Sequence, residues 1–177
     1  MPWSTSAPAT IRTARLRLEP LVVADADELV GVLADPALYR VIGGDPPSLD
    51  QLRARYAAMV VGRSPDGTEQ WLNWIVRLAS GGEAVGHLQA TVVDHGSRAD
   101  VAWVVGTPWQ GQGYAGEAAR ALVRRLREVG VRSVTAHVHP DHVASRAVAR
   151  HAGLTPTADH HDGEQRWLLA PEDPTPE

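Results

Sequence analysis

A short apolar segment that runs into a glycine turn and then into a long helix constrains this chain more than any other feature. Gln110-Gly111-Gln112-Gly113-Tyr114-Ala115 separates the apolar residues that begin near Val101 from a helical pattern that continues to Val129. Glycines let the backbone turn sharply at such a junction, and the first N–H groups of the helix have no partner within it. Because these groups lie at the positive end of the helix dipole, the segment predicts a binding site for phosphate or pyrophosphate.

The remaining patterns predict one mixed α/β domain. Alternating or apolar runs predict strands near 15–19, 71–78, 84–93, 99–105 and 133–138, and a final hairpin that turns at Asp162-Gly163. Helices are predicted to begin at Asp25 and Ser48, each followed three residues later by Glu28 or Gln51, and another spans about 144–151. We divide the chain into a loose N-terminal segment 1–12, a domain over 13–170 and a loose tail 171–177.

Composition excludes several classes of function. The 177 residues suffice for one domain with a core, and no run of about 18 apolar residues predicts a membrane span. A net charge of -4 argues against direct binding to nucleic acid. The chain has no cysteine and no secretion signal at its start, so we expect a cytoplasmic protein. All 17 basic side chains are arginine, which excludes lysine chemistry and the lysine-containing phosphate loop.

Two other interpretations of the glycine turn are weaker. Gly111, Gly113 and Gly116 match the spacing of a dinucleotide fingerprint, but the segment about 20 residues further on, 131–134, has no acidic residue to hold a ribose. The strands before the turn also predict an antiparallel meander, whereas that fingerprint opens a parallel unit. A turn without a ligand, in which glycine serves only the backbone conformation, is the remaining alternative.

Two signatures resemble those of the GCN5-related N-acetyltransferases. The family's acyl-CoA signature has the core Gln/Arg-x-x-Gly-x-Gly/Ala, and Gln110, Gly113 and Ala115 match its fixed positions. The segment 139–145, followed by Gly153-Leu154, is similar to the family's Pro-x-Asn-x-x-Ser and Gly-Phe. The resemblance covers nearly the whole chain and is nearest to the RimJ/RimL branch of ribosomal-protein N-terminal acetyltransferases. It implies an α/β (α+β) fold with a mixed, mostly antiparallel, splayed sheet flanked by about four helices.

The resemblance also implies a site for acetyl-CoA, which serves as co-substrate without a metal. Backbone groups of Val104 and Val105 would hydrogen-bond the pantetheine arm, and Ser145 would contact it. His142 stands where the family has asparagine. The N–H groups of the turn would hold the pyrophosphate, and the residues concerned are Gln110, Gly111, Gln112, Gly113, Tyr114 and Ala115.

Transfer of an acetyl group to an amine requires a base for the amine proton and a polar contact for the leaving thiolate. Asp100 stands where the RimJ/RimL branch commonly has a catalytic glutamate, so the resemblance implies that it is the base; a solvated aspartate at a strand end is the alternative. Many family members have a tyrosine at the position of Ala149. Because that tyrosine is missing, Ser145 or a water molecule would serve the thiolate.

The acceptor side is less constrained. Tyr39, Trp71 and His87 are candidates for acceptor binding; His87 could instead be a base or a packed strand histidine. His137, His139 and His142 lack the spacing of a metal site, so we expect no metal.

We therefore expect an N-acetyltransferase that acts on a primary amine, either a protein N-terminus or a small molecule. The alternatives are a non-catalytic acyl-CoA-binding or sensing domain and an NAD-dependent oxidoreductase, which requires a parallel sheet. We expect no membrane partner, and a homodimer is a further expectation.

Overall fold

One eight-stranded sheet forms the centre of the computed structural model, which describes residues 8–171. Its strands lie in the order β1-β2-β3-β4-β5-β6-β8-β7, and neighbours are antiparallel except for the parallel pair β5 and β6. The strands are β1 Ile11–Arg12, β2 Leu16–Pro20, β3 Gln70–Leu78, β4 Ala84–Val93, β5 Arg98–Val105, β6 Ser133–Val138, β7 Thr155–His161 and β8 Glu164–Leu169. The predicted mixed, mostly antiparallel sheet is confirmed.

Helices cover both faces of this sheet. Within residues 8–171 they are α1 Ala26–Val32, α2 Tyr39–Ile42, α3 Leu49–Met59, α4 Tyr114–Glu128 and α5 Val143–His151. The sequence predicts all of them except α2, a single turn. At the start of α3 the predicted capping box is present: the Gln51 N–H donates to Ser48 Oγ (3.2 Å), and the Ser48 N–H donates to Gln51 Oε1 (2.9 Å).

Asp25 precedes α1 as predicted, but its carboxylate does not cap that helix. It accepts a hydrogen bond from the Val22 N–H (2.8 Å) and forms an ion pair with Arg77 of β3 (2.8 Å). Arg77 also pairs with Glu28 of α1 (2.7 Å). The acidic residues at the start of α1 therefore fasten the helix to the sheet.

The core is divided by the sheet into two clusters. One face packs against α4 and α5, and its fully buried side chains include Leu16, Leu88, Leu122, Leu126 and Trp167. The other face packs against α1 and α3 through Leu29, Leu52, Tyr56 and Ile75. Each strand alternates its side chains between the two faces, so a residue's parity along the strand decides which cluster it joins.

The sheet includes two residues of the segment that the sequence predicts to be loose. Ile11 and Arg12, which we assign from sequence to a loose segment, pair with Leu18 and Arg17 of β2, and Ile11 is buried. Burial of an isoleucine beside a formed strand stabilises the pairing enough to extend the sheet. The segments 1–7 and 172–177, also predicted to be loose, lie outside the described residues.

β5 and β6 diverge soon after they meet. Their pairing covers only Arg98–Ser133, Ala99–Val134 and Asp100–Thr135. Beyond Asp100, β5 continues to Val105 beside β4, and β6 continues to Val138 beside β8. The edge of β5 that faces β6 therefore has no partner strand among the described residues from Val101 onwards, and its backbone groups border an open gap.

Gly86 allows β4 to lie close to the part of β5 whose other edge borders this gap. A Cβ atom at Gly86 would lie 2.1 Å from the carbonyl oxygen of Val104. Since the obstructing atom belongs to the backbone, no side-chain rotation would relieve the contact. Glycine at this position thus fixes the path of β5 where it leaves β6.

We expect Gly86→Ala to lower the free energy of unfolding by at least about 2 kcal/mol, because the strands must separate to admit the methyl group. Gly31→Ala in α1 is the matched control, since a Cβ at Gly31 meets no atom within 4 Å. That change should raise stability by about 0.5–1 kcal/mol. Urea unfolding of both variants measures the two effects. Equal stability of the two variants would contradict the close approach at Gly86.

Candidate active site

A cleft of about 310 Å³ lies in the gap between β5 and β6. Its walls come from both strands, from the loop into α5 and from α2. The lining residues are Val41, Ile42, Gln89, Thr91, Asp100, Val101, Ala102, Trp103, Val104, His137, Val138, His139, His142, Ser145 and Glu164. Four predicted site residues, Asp100, Val104, His142 and Ser145, are thus brought together in one cleft, although 45 positions separate the first from the last.

The glycine turn connects the end of β5 to the start of α4. Gly111 and Gly113 have φ angles of 74° and 82°, a left-handed conformation that favours glycine. Among the described residues, the N–H groups of Gly111 through Gly116 donate to no protein acceptor. The turn therefore offers a continuous run of free backbone donors at the positive end of a 15-residue helix, as an anion site requires.

The run of free donors begins one residue later than the sequence predicts. The Gln110 N–H donates to the carbonyl of Thr107 (3.2 Å) and closes the short 3₁₀ turn that precedes it. The Gln110 side chain folds back, and its Nε2 donates to the carbonyl of Val105 (2.9 Å). Val105 is buried and does not line the cleft. Gln110 therefore braces the end of β5, and its backbone donor is not free for a ligand.

Asp100 lies at the last position where β5 and β6 still pair. Its carboxylate accepts a hydrogen bond from the hydroxyl of Thr135, its partner in β6. The second carboxylate oxygen lies 4.0 Å from Nη1 of Arg98. Asp100 is only partly exposed and lines the inner end of the cleft. These contacts hold the carboxylate at the point where the two strands separate.

His142 caps α5, as asparagine does at many helix starts. Its Nδ1 accepts a hydrogen bond from the Ser145 N–H (3.0 Å). Because a backbone amide can only donate, Nδ1 must be the unprotonated nitrogen, and in the neutral ring the proton is on Nε2. The histidine thus keeps the capping function and brings an additional N–H to a residue that lines the cleft.

Ala149 contributes no polar group to the site. Its side chain is fully buried in the core cluster beneath α5. Within the described part of α5 and the loop before it, the cleft-lining side chains that can donate are His139, His142 and Ser145.

The three predicted acceptor residues do not line this cleft. The Tyr39 hydroxyl donates to the carbonyl of Leu33 (2.9 Å), and Trp71 Nε1 donates to Glu69 (2.9 Å). Trp71 lines a separate open cavity of about 1260 Å³. Trp71 nevertheless lies in the same cross-strand row as two residues of the cleft. It pairs with Thr91 in β4, and Thr91 pairs with Asp100 in β5.

His87 lies on the same sheet face, opposite Val104 of β5. Its Nδ1 is buried and has no hydrogen-bond partner among the described residues. Burial, together with the nearby positive charge of Arg55, lowers the pKa of the imidazole from 6.5 to about 4. The ring is therefore neutral at physiological pH.

Sequence reasoning missed two groups of residues around the cleft. Gln89 and Thr91 share a face of β4 with His87, and the two-residue alternation of that strand could have identified them. Val41 and Ile42 come from α2, whose single turn has no periodicity to detect.

Arg15 was also missed, because it contacts the glycine turn from 97 residues away: its Nη1 donates to the carbonyl of Gln112 (2.9 Å). No local pattern in the sequence indicates this contact.

Residues 8–171 contain no group of three or more histidine, aspartate or glutamate side chains arranged to hold a metal ion. Within the same range, every helix is too short or too polar to cross a membrane.

We expect the free energy of unfolding to decrease as the pH is lowered through the titration range of His87. Its native pKa is lowered, so between about pH 6.5 and about pH 4 the unfolded chain binds a proton that the native ring does not. The free energy of unfolding should decrease by up to about 1.4 kcal/mol per pH unit in that range. His87→Leu should remove this contribution, as urea unfolding at about pH 7.5 and about pH 5 would measure. His160→Leu, at an exposed position of β7, is the control; the same pH dependence in both variants would argue against a buried neutral His87.

A family model described as the acetyltransferase (GNAT) domain matches residues 15–155 of this chain. A search of curated proteins finds no match. Among solved structures, RimL, a ribosomal-protein alpha-N-acetyltransferase in complex with coenzyme A, has a TM-score of 0.75 at 19% identity, covering 92% of this chain and 98% of that one.

Two other solved structures are similar over most of their length. An acetyltransferase from Salmonella typhimurium that modifies the N-terminal serine of a 50S ribosomal protein has a TM-score of 0.75 at 17% identity, covering 93% of this chain and 100% of that one. The aminoglycoside acetyltransferase AAC(6')-Ib in complex with coenzyme A has a TM-score of 0.69 at 18% identity, covering 88% and 93%. At sequence identities of 17% to 19%, these structural similarities establish that this chain has the same fold. The family model spans well over half of the chain, and it confirms the predicted membership: this chain belongs to the acetyltransferase (GNAT) domain family.

Proposed function

We propose that this protein is an acetyl-CoA-dependent N-acetyltransferase that transfers an acetyl group to a primary amine of a protein N-terminus or a small molecule. One observation carries the proposal. Asp100 lines the cleft where β5 and β6 part, and β5 continues past the cleft to Val105 and then, through a short turn, to the free backbone donors of Gly111–Gly116. An anion site at the end of β5 suits the diphosphate of a thioester donor, and a proton acceptor in the cleft beside the same strand suits the attacking amine.

The described residues fit coenzyme A. The free N–H groups of the glycine turn would donate to the diphosphate, and Gly113 keeps the backbone open to it. The unpaired edge of β5 offers backbone groups near Val104 to the amides of the pantetheine arm, as a missing strand would. The cleft then directs the thioester towards Asp100, where the strands meet.

The reaction forms one bond and breaks another. A neutral amine nitrogen attacks the thioester carbonyl carbon, the new C–N bond forms, and the C–S bond breaks to release the thiolate of CoA. Asp100 takes the amine proton, directly or through a water molecule, because aspartate is a short side chain. The hydrogen bond from Thr135 keeps the carboxylate oriented for this step.

The leaving thiolate requires a hydrogen-bond donor, which Ala149 does not supply. His142 is placed to act: its Nδ1 is committed to the Ser145 N–H, so the neutral ring presents its proton on Nε2. The Ser145 hydroxyl, in the same wall of the cleft, is the second donor. Both groups stabilise developing negative charge on sulfur by donating hydrogen bonds, and neither has to lose its proton.

The acceptor is assigned only as a primary amine. The similar structures act on quite different acceptors, since RimL is named for a ribosomal protein and AAC(6')-Ib for aminoglycosides. Tyr39, Trp71 and His87 stay predictions for acceptor binding, and the row Trp71–Thr91–Asp100 supports an approach across this sheet face. A homodimer and a cytoplasmic location also stay predictions.

A non-catalytic acyl-CoA sensor of the same fold is the second candidate, and Ala149 is the observation that favours it. The oxidoreductase alternative requires a parallel sheet and is not supported, because β5 and β6 are the only parallel neighbours in the described part of the sheet.

An amine panel with detection of free CoA thiol tests the function. The wild type should release thiol from acetyl-CoA with at least one class of acceptor, such as N-terminal peptides, amino acids, polyamines or aminoglycosides. Asp100→Asn should bind CoA with unchanged affinity while kcat/KM falls about 10²- to 10⁴-fold, since it keeps the side-chain shape but removes the base. Tight acetyl-CoA binding without thiol release from any amine would favour the sensor instead.

We expect His142→Ser to lower kcat about tenfold with little change in the KM for acetyl-CoA, because serine can still cap α5 but removes the ring N–H. Its stability should stay within about 0.5 kcal/mol of the wild type, whereas His142→Ala should lose about 1 kcal/mol of cap stabilisation. Thermal unfolding and steady-state kinetics separate the two effects. Ser145→Ala is the comparison, and a loss of kcat there but not in His142→Ser would assign the thiolate contact to serine.

A further inference from the structure

An arginine from the start of the sheet is fixed against the glycine turn. Arg15 lies in the loop between β1 and β2, and three parts of its side chain contact the turn or α4. Nε pairs with Glu117 Oε2 at 2.7 Å, Nη1 donates to the carbonyl of Gln112 at 2.9 Å, and Cζ lies 4.7 Å from the centre of the Tyr114 ring. These three contacts fix the orientation of the partly exposed Arg15 side chain.

Glu117, the main partner of Arg15, is itself firmly held. Its Oε1 accepts hydrogen bonds from the Thr13 hydroxyl (2.6 Å) and from the Arg15 N–H (3.0 Å). Burial alone would raise the pKa of this carboxyl, but the hydrogen bonds from Thr13 and Arg15 and the charge of Arg15 lower it overall. Glu117 is therefore ionised, and it anchors both the backbone and the side chain of Arg15 to the first turn of α4.

One end of the guanidinium is not used by the protein. Among the described residues, Nη2 of Arg15 donates to no acceptor. This group lies beside Gly113, where a Cβ atom would approach it to 3.3 Å. It is thus next to the run of free N–H groups in Gly111–Gly116, and the Arg15 side chain is about half exposed. A free, directed cationic donor beside free backbone donors is an arrangement that suits a phosphate group.

We infer that Arg15 is a diphosphate-binding residue: its Nη2 donates to the diphosphate of the CoA donor while Nε and Nη1 hold the glycine turn in place. The inference rests on the proposed function, since it assigns a residue to the donor half of that site. Because Glu117 offsets the charge of Arg15, the contribution is a directed hydrogen bond rather than a general positive potential. Arg15 should therefore contribute to the binding only of ligands whose phosphates reach the glycine turn.

A purely structural role for Arg15 makes a different prediction. If the arginine only braces the turn, its removal should weaken ligands in the same proportion whether or not they carry phosphate. If Nη2 contacts the diphosphate, removal of Arg15 should weaken the binding of those ligands that contain the diphosphate and leave the others nearly unchanged. CoA, 3′-dephospho-CoA and pantetheine make this distinction, because the first two contain the diphosphate and the third has none.

The experiment measures dissociation constants of these three ligands for the wild-type protein and for Arg15→Gln by calorimetry. We expect Arg15→Gln to weaken CoA and 3′-dephospho-CoA by a similar factor, about 10- to 100-fold, and pantetheine by less than about threefold. Arg53→Gln is the control, because it removes the same charge from an ion pair with Asp27 (2.5 Å) that joins α3 to α1. It should leave all three constants unchanged.

Two results would overturn the inference. Equal weakening of pantetheine and CoA would make Arg15 a brace of the fold, and unchanged CoA affinity would remove it from the site. Failure of the wild type itself to bind CoA would instead contradict the proposed function.

A measurement on the wild type covers the case in which Arg15→Gln does not fold. The guanidinium NMR signals of Arg15 should shift, and their proton exchange should slow, on addition of 3′-dephospho-CoA but not of pantetheine. Identical responses to the two ligands would contradict the contact.

Discussion

The parting of β5 from β6 after three residue pairs is the constraint on which the rest of the site depends. β5 stays paired with β4 along its whole length to Val105, whereas β6 follows β8, so the two parallel strands are drawn apart beyond Asp100 and Thr135. Gly86 makes the close course of β5 along β4 possible, because any side chain there would meet the Val104 carbonyl. An unpaired strand edge is usually a liability for a soluble protein. Here it borders the cleft that Asp100, Val104, His142 and Ser145 line, and the proposed function has the pantetheine arm occupy this edge.

The two halves of the site are built from different kinds of groups. The donor half relies on backbone atoms, namely the amides of Gly111–Gly116 and the edge of β5, and the fold fixes their positions. In the proposed site, the acceptor half relies on side chains that line the cleft, among them Gln89, Thr91 and Asp100. Backbone recognition tolerates wide sequence divergence, so similarity of fold carries information about the donor. Side-chain recognition changes with each substitution, and this is why the acceptor class does not follow from the fold.

Features that depend on neighbouring residues could be predicted from the sequence, and features that depend on distant ones could not. The Ser48 capping box, the turn at Asp162-Gly163 and the bounds of β6 follow from local backbone preferences, and all three are present. The number of pairs between β5 and β6 is set by how strongly their other neighbours hold them, which no local pattern records. The same holds for the contact of Arg15 with Glu117, which lies 102 residues away. The sequence also did not predict that the Gln110 N–H donates to the carbonyl of Thr107. A signature specifies residue types, but it does not specify which backbone donors are already used in hydrogen bonds within the turn.

Two departures from the family's pattern, His142 for asparagine and Ala149 for tyrosine, are best understood together. A residue at position 142 must accept the Ser145 N–H to begin α5, and histidine meets this requirement through Nδ1. Unlike asparagine, a neutral imidazole that accepts at one nitrogen holds its proton on the opposite side of a rigid ring, so a single side chain caps the helix and keeps an N–H donor. Ala149 is a buried residue of the same helix, and its methyl group cannot supply the donor that a tyrosine would bring in the proposed reaction. In the reaction proposed above, the imidazole of His142, at the start of the same helix, takes the place of that donor.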